Sequence, residues 1–413
     1  MPITTRPLKL IFLYVAGLFL LVVAALFHQE EHLYLMAAAL FLIPTVANLV
    51  GRLFIGGLTC ERGAPPPCSV GERVTVTLQV TAVGMLPVFF LRVQDRLPRW
   101  MRLVGEGAPL ILQLRPGESR AVTYMLEPEK RGVFALGPVL VVTTDPFGFY
   151  SYTQSLPCTE EILVYPSVIP LKQLFVDGGG AWGRENREEG GMRGDGLDFH
   201  GVRPYRTGDA LRRVHWRTTA RTGKLAVMEY TQGMTGDVLL ALDLNRDAYS
   251  GTGEGPESAL EYAVQVAAAV GAYLLQQGHA VRLLMARESE PSPALQRAED
   301  IPRLLDMLAQ AEADSPQKLS GLLQESQFES ADGRTLIFIT PDASDPTLAP
   351  VLEDCRALGA GMFGFFLDGL SFRDRGRSEP DLLPAWATVA PVQRIGRGDD
   401  LQEMIEGWNY AHR

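Results

Sequence analysis

Gly194 to Tyr230 reads GDGLDFHGVRPYRTGDALRRVHWRTTARTGKLAVMEY. The run sets Arg203, Arg206, Arg212, Arg213, Arg217, Arg221 and Lys224 against only Asp195, Asp198, Asp209 and Glu229. The whole chain of 413 residues carries a formal charge of −10, so a local basic cluster runs against its background and calls for a partner of opposite sign. A pI near 5.2 argues against a dedicated nucleic-acid binder, which presents a basic domain face. If Asp209 caps a helix opening at Ala210, then Arg213, Arg217 and Arg221 recur at four-residue steps and share one face, with Leu211, Val214 and Thr218 roughly opposite. Such a stripe suits bidentate pairing with carboxylate or phosphate. The plainer alternative is internal salt bridging within the chain.

Outward toward the N-terminus, Leu8 to Phe27 is apolar apart from Lys9, and after the polar break His28-Gln29-Glu30-Glu31-His32 a second apolar stretch runs from Leu33 to Ile55. Each is long enough to cross a hydrocarbon core as a helix. A cleaved signal peptide is the rival for the first, but no small-residue cleavage site follows it and a second span comes at once. Arg6 and Lys9 precede the first span, the loop is acidic, and Arg52 and Arg62 close the second. The positive-inside rule then puts both termini of this two-span protein in the cytoplasm. The four cysteines, Cys60, Cys68, Cys158 and Cys355, are scattered and form no disulfide framework or zinc ribbon, which suits a reducing compartment.

From Val74 the period falls to two: Val74, Val76, Leu78 and Val80 point one way, Thr75, Thr77 and Gln79 the other. Similar runs at 88–93, 110–114, 121–126, 133–136, 139–143 and 162–165, punctuated by Gly and Pro, predict an antiparallel β-sandwich. Asp177 through Gly191 is glycine-rich and reads as a linker. From Asp237 strands and helices alternate. Val238–Leu242 is a strand buried on both faces; Ser258-Ala259-Leu260-Glu261 fits a capping box for a helix to Gln277. Further strands are expected at 280–285, 336–340, 362–367 and 388–392, with helices at 302–311 (capped by Asp300), 346–358 and 401–408 (capped by Asp399 or Asp400). That alternation predicts a mostly parallel, doubly wound sheet.

Gly208-Asp209, the Arg212-Arg213 pair, Trp216 and Ala220 to Leu225 together resemble the signature of the bacterial family catalogued as domain of unknown function 58. Asp145-Pro146-Phe147-Gly148-Phe149 also resembles that family's pattern, its plain reading being a tight turn with an aromatic plug. The element order and the Asp after the first strand look like a von Willebrand factor A domain, the fold the resemblance implies for the C-terminal part. That fold commonly binds a divalent cation through Asp-x-Ser-x-Ser, a Thr from a later loop and an Asp after the fourth strand. Here Asp243-Leu244-Asn245-Arg246-Asp247 stands at the first element and Asp342 at the last, with no position assigned to the Thr. Asp243, Asn245, Asp247 and Asp342 are therefore the candidate ligands, for Mg²⁺ or Ca²⁺. An EF-hand reading of Asp243, Asn245, Asp247 and Glu254 fails because a strand precedes it and Ala248 stands where glycine is needed.

Thr222-Gly223-Lys224-Leu225 lacks the upstream glycine and the Ser or Thr of a P-loop, and His200 and His215 accompany no nucleophile elbow. The expected organisation is a transmembrane helical hairpin over 1–58, an antiparallel β-sandwich over 59–170, a Gly-rich linker over 171–193, the arginine-rich segment over 194–232, and a doubly wound von Willebrand A-like α/β domain over 233–413. The expected function is non-enzymatic: a membrane-anchored, cytosolic protein-binding adaptor. It would contact inner-membrane lipid through the hairpin and a protein partner through Arg203, Arg206, Asp209, Arg212, Arg213, Trp216, Arg217, Arg221 and Lys224. The resemblance implies that this partner is an AAA+ ATPase of the MoxR type, acting in assembly or maturation of other proteins or envelope complexes. The alternative is a metal-dependent hydrolase acting on envelope precursors.

Overall fold

The two apolar runs become helices α1 (Pro7–Leu26) and α2 (Glu31–Ile55), which pack on each other and are long and apolar enough to cross a membrane over Lys9–Leu26 and Glu31–Leu49. Gly17 permits the close approach: a Cβ there would meet the Phe41 ring at 3.1 Å and Leu40 at 3.3 Å. Pro44 withholds an amide from the α2 ladder, and the Thr45 hydroxyl beside it donates back to the Phe41 carbonyl at 2.9 Å. The structure is a computed structural model that describes residues 3–5, 7–26, 31–55, 57–105, 110–145, 148–174, 198–204, 215–231, 237–285, 292–326, 335–373 and 383–407. The chain divides into two compact units, Met1–Tyr165 and Pro166–Arg413.

The first unit holds β1 (Ile3–Thr5), β2 (Leu58–Arg62), β3 (Cys68–Ser69), β4 (Val74–Ala82), β5 (Val88–Asp95), β6 (Met101–Val104), β7 (Leu110–Leu114), β8 (Ser119–Pro128), β9 (Gly132–Leu136), β10 (Val139–Thr144), β11 (Tyr150–Leu156) and β12 (Glu160–Tyr165). Antiparallel sheets β1-β11-β10-β5-β7 and β2-β4-β8-β6 are accompanied by a small sheet β3-β12-β9. Alternate residues of β4, Val74, Val76, Leu78, Val80 and Ala82, are buried, as the period of two predicts. Leu78 and Val80 share one core with Leu91 and Val93 of β5 and Val139 and Val141 of β10, so the two larger sheets face each other. Every strand expected from periodicity is present. Those missed, β1, β2, β3, β6 and β11, are short or rich in polar residues and carry little alternation.

A buried ion pair ties this unit together. Arg62 and Asp95, 1% and 5% exposed at their side chains, pair at 2.6 Å, and the Tyr124 hydroxyl donates to the same carboxylate. Cys60 and Cys158 lie beside it; burial, then hydrogen bonding with Cys158, pushes the Cys60 thiol up to about 12. On the hairpin side, Tyr152 donates its hydroxyl to the Asn48 carbonyl at 2.9 Å and packs with Leu10, Ala47, Phe149 and Tyr150. Phe149 thus fills the aromatic-plug role expected of the 145–149 turn, where the Gly148 amide closes onto the Asp145 carbonyl at 2.9 Å.

The second unit contains the antiparallel hairpin β13 (Asp198–Pro204) and β14 (Ala226–Thr231), with α3 (Trp216–Thr222) between them in the chain. Then come β15 (Asp237–Leu242), α4 (Ala259–Gln276), β16 (Ala280–Met285), α5 (Ile301–Ala309), α6 (Leu319–Glu325), β17 (Thr335–Thr340), α7 (Leu348–Ala357), β18 (Gly361–Leu367), α8 (Gly369–Arg373), β19 (Val392–Ile395) and α9 (Leu401–Glu406). The sheet order is β16-β15-β17-β18-β19 and every neighbouring pair is parallel. The order reverses between β15 and β17, which makes the carboxyl ends of those strands the switch point where open α/β sheets bind ligands. Beyond β16, Leu295 adds an antiparallel bridge to Val281 through two bonds of 2.8 Å.

Helix α4 is buried along most of its length because it packs between sheet and α5. A Cβ on Gly271 would lie 2.6 Å from Leu304 of α5 and 3.5 Å from Leu240 of β15. The capping box expected at its start does not form: Ser258 makes no side-chain cap and Glu261 is buried. The last strand begins at Val392, because 385–388 form a 3₁₀ turn that buries Trp386. Helix α6, unanticipated from sequence, packs Leu319, Leu322 and Leu323 into the core that also holds Phe338 and Trp386. The glycine-rich linker falls largely on 175–197, outside the described residues.

Candidate functional site

Polar groups converge where β15 and β17 end. β15 and β17 are flanking parallel neighbours, and each leads directly into a polar turn, Asp243 following the first and Thr340 closing the second. Asp243 is 2% exposed and Thr340 fully buried; the Thr340 hydroxyl donates to Asp243 Oδ2 at 2.6 Å. Asp243 Oδ1 accepts the Asn245 amide at 2.9 Å, and the Asp243 carbonyl accepts the Tyr249 hydroxyl at 3.0 Å. Burial holds the Asp243 carboxyl up to about 6; the bonds from Thr340 and Asn245 act against that rise, and the charges of Asp342 and Asp345 add to it.

The remaining members are tied in by local turns. Asn245 donates its amide to the carbonyls of Pro316 and Gln317, both at 3.2 Å, and its Oδ1 accepts the amides of Asp247 and Ala248, both at 3.0 Å. The Asp342 amide donates to Thr340 Oγ1 at 2.9 Å, and Asp342 Oδ1 accepts the Ser344 amide and hydroxyl. Lys318 places its ammonium 3.6 Å from Asp342 Oδ2. Asp345 is 5% exposed and sits below the usual carboxylate range: burial opposes this, but hydrogen bonds from Ser320 and Thr347 and the charge of Lys318 outweigh it. Its second oxygen, Oδ2, is buried without a hydrogen-bond partner. Trp386 Nε1 donates to the Asp342 carbonyl at 3.1 Å and stacks edge-on with Phe338 and Phe366, so a buried aromatic cluster fixes the Asp342 turn.

Asp243 and Asp342 therefore meet through Thr340 and Asn245 joins Asp243 by its amide, while Asp247 lies on the exposed outer part of the turn. As arranged, they do not fit a divalent ion. Asp243 and Asn245 already accept hydrogen bonds on the oxygens they would offer, and a lysine ammonium faces Asp342. Lys318, Asp345 and Trp386 belong to the site and were missed from sequence. They come from separate loops that only the sheet topology brings together, although the polar run 340–347 was a usable signal.

The second candidate group is only partly described. Arg206, Asp209, Arg212 and Arg213 lie outside the described residues, as do the side chains of Arg203 and Arg217. The expected cap Asp209 and helix start at Ala210 lie outside the described residues. His215 is the N-cap of α3, its Nδ1 accepting the Thr218 amide at 3.2 Å, and Gly223 closes the helix in the left-handed conformation at φ 67°. Only Arg217 and Arg221 of the expected stripe share this helix. Trp216 is 66% exposed at its first position, and Arg221 and Lys224 are exposed at its end.

Residues 201–336, which run from β13 into β17, match the family described as protein of unknown function DUF58. An uncharacterized protein of Bacillus subtilis (strain 168), YeaD, is 24% identical over 267 residues, and the chain spans 62% of that curated relative's length, using 62% of its own. Among solved structures, the CARDB domain of PF1109 from Pyrococcus furiosus matches 26% of this chain and 94% of its own at 15% identity, with a TM-score of 0.18. A non-cellulosomal cohesin from Archaeoglobus fulgidus matches 26% of this chain and 91% of its own at 10% identity, also with a TM-score of 0.18. Superpositions that poor carry no weight for the fold.

Proposed function

We propose that the chain is a bacterial inner-membrane adaptor with both termini in the cytoplasm, whose von Willebrand A-like α/β module captures another protein. The hairpin supplies the anchor, and the antiparallel sheets a spacer. Support for the module's kinship is its strand order, the antiparallel Leu295 bridge on the outer edge of β16, and the buried Asp243 where the first strand ends.

The observation that carries the binding reading is Trp216. A tryptophan 66% exposed on a short, doubly capped helix is an unusual thing to leave in water, and Arg221 and Lys224 are exposed at the other end of that helix. Tryptophan and arginine are the residues over-represented at binding hot spots, and the charges suit an acidic partner face. The family resemblance points to an AAA+ ATPase of the MoxR type as that partner, in assembly or maturation of envelope complexes. The polar cluster around Asp243 shapes the neighbouring sheet edge through hydrogen bonds and Lys318, with no metal-dependent step.

Affinity purification of the detergent-solubilised chain from its host tests this. Wild type is expected to bring down an ATPase in a nucleotide-dependent way, and Trp216→Ala to lose it. Recovery of no ATPase under any nucleotide condition would overturn the proposal.

A further inference from the structure

The sandwich presents one end to the hairpin, and that end is apolar and exposed. β2 begins three residues past the end of α2 and leads away from it, while β4 returns antiparallel until Ala82 stands opposite Leu58. The turn that follows β4 therefore lies against Gly57, two residues past the end of α2. Both the Val83 and Gly84 amides donate to the Gly57 carbonyl, at 2.7 and 3.1 Å. The fit excludes side chains, since a Cβ on Gly57 would lie 2.4 Å from the Gly84 Cα.

Two more turns share this end. Gly117 donates to the Ala82 carbonyl at 2.7 Å, which brings the 115–118 turn alongside. The 145–149 turn lies near Lys9, and its Phe149 packs on Leu10 and Ala47. On this rim Met85 is 96% exposed, Val83 63% and Leu86 40%. Phe90, two residues into β5, is 43% exposed at a φ of 48°, which a bulky residue rarely adopts. Arg115 adds an exposed cation.

From Arg52, the last charged residue of α2, to Gly57 is at most about 12 Å, three residues at helical rise and two fully extended, on the order of one headgroup layer. We propose that Val83, Met85, Leu86 and Phe90 insert at the headgroup–acyl boundary of the bilayer that α1 and α2 cross, with Arg115 meeting anionic lipid phosphate. The occupant of this surface is the bilayer itself. An apolar tip with a cation beside it is the chemistry of interfacial anchoring, and the sandwich is thereby seated on the membrane instead of swinging from a tether. This inference rests on the reading of α1 and α2 as membrane spans.

The test uses the full chain in vesicles of phosphatidylethanolamine and phosphatidylglycerol. Nitroxide labels are placed by Met85→Cys, Val22→Cys in the second half of α1 and Arg73→Cys at the far end of β4, in a Cys60→Ser background. Oxygen-over-nickel accessibility at position 85 is expected to rise severalfold above that at 73 and approach that at 22. A lipid-like signal at 22 with a water-like signal at 85 overturns the rim and spares the anchor; water-like signals at both overturn the anchor as well. In parallel, wild type is irradiated with a photoactivatable phospholipid, and the peptide spanning Val83–Leu86 is expected to carry lipid adducts. Their absence from that peptide, with adducts present in α1 and α2, overturns the rim without any substitution.

Discussion

Thr340 and Asp243 stand 97 residues apart in the chain and 2.6 Å apart in the fold, one hydroxyl joining the ends of two parallel strands at the point where the strand order reverses. The hydroxyl also accepts the Asp342 amide, so it ties the Asp243 turn to the Asp342 turn. Replacing it by Thr340→Val keeps the shape and leaves Asp243 Oδ2 and the Asp342 amide without their partner. The expected cost is about 1–3 kcal/mol, the penalty of stranding buried polar groups, with Asp243 titrating higher than in wild type. Hydrogen exchange of the β15 and β17 amides measures the first, and its pH dependence the second. Unchanged protection would mean the bond contributes nothing.

Asp243 gives the site a pH signature whose sign follows from its burial. The carboxyl titrates at about 6 in the folded chain against 3.8 ordinarily, so the folded state holds its proton longer. Below 3.8 both states are protonated and the contribution is fully favourable. As pH rises to about 6 the unfolded chain ionises first and that stability is lost, on the order of 3 kcal/mol for a shift of this size. Asp243→Asn is therefore expected to match wild type near pH 4 and to exceed it at neutral pH. A variant less stable than wild type at neutral pH would show that the bonds to Thr340 and Asn245 outweigh the burial penalty.

The sequence made some of this legible, for reasons that particular residues show. β4 and β15 announce themselves because one alternates strictly and the other is apolar throughout, and both patterns reflect burial of whole faces. Asp243 and Asp342 were found because each directly follows or closely trails such a strand. Lys318 and Trp386 were not, since their roles depend on loops folding across the same sheet edge, and nothing local marks a lysine or a tryptophan for that. Asp209, the cap read from the sequence, lies outside the described residues, and nothing local marked His215, whose ring accepts the Thr218 amide as N-cap of α3.

Lys318 leads to an expectation about metals. With its ammonium 3.6 Å from Asp342 and its charge helping to hold Asp345 ionised, the acidic edge already has a cation. Millimolar Mg²⁺ or Ca²⁺ is expected to leave the unfolding midpoint of wild type unchanged, while Lys318→Met lowers it by exposing Asp342 and Asp345 to each other's charge. Scanning fluorimetry with and without chelator reads both. A rise of several degrees with either ion in wild type would restore the metal-centre reading.

The Arg62–Asp95 pair should behave as a buried ion pair does. Asp95→Asn leaves a guanidinium 1% exposed without its countercharge, and the expected destabilisation of the sandwich is about 3–5 kcal/mol. Arg62→Met with Asp95→Leu together should recover much of it, because removing both charges leaves nothing unpaired. Denaturant unfolding followed by protection of the β4 and β8 amides separates the two outcomes. A double variant no better than the single one would show that Tyr124 also depends on the carboxylate to stay in place.

The exposed face of α3 offers the most direct separation of binding from stability. Trp216 and Arg221 are in solvent, so Trp216→Ala and Arg221→Glu are expected to change the unfolding midpoint little. If this face engages an acidic partner, both variants weaken capture, the first at any ionic strength and the second mainly at low salt, where surface charges are least screened. Immobilised chain and a purified MoxR-type ATPase, the proposed partner, compared across a salt series, distinguish the two contributions. Equal binding by wild type and the double variant at every salt concentration would remove α3 from the interface and leave the edge near Asp342 and Lys318 as the surface to probe next.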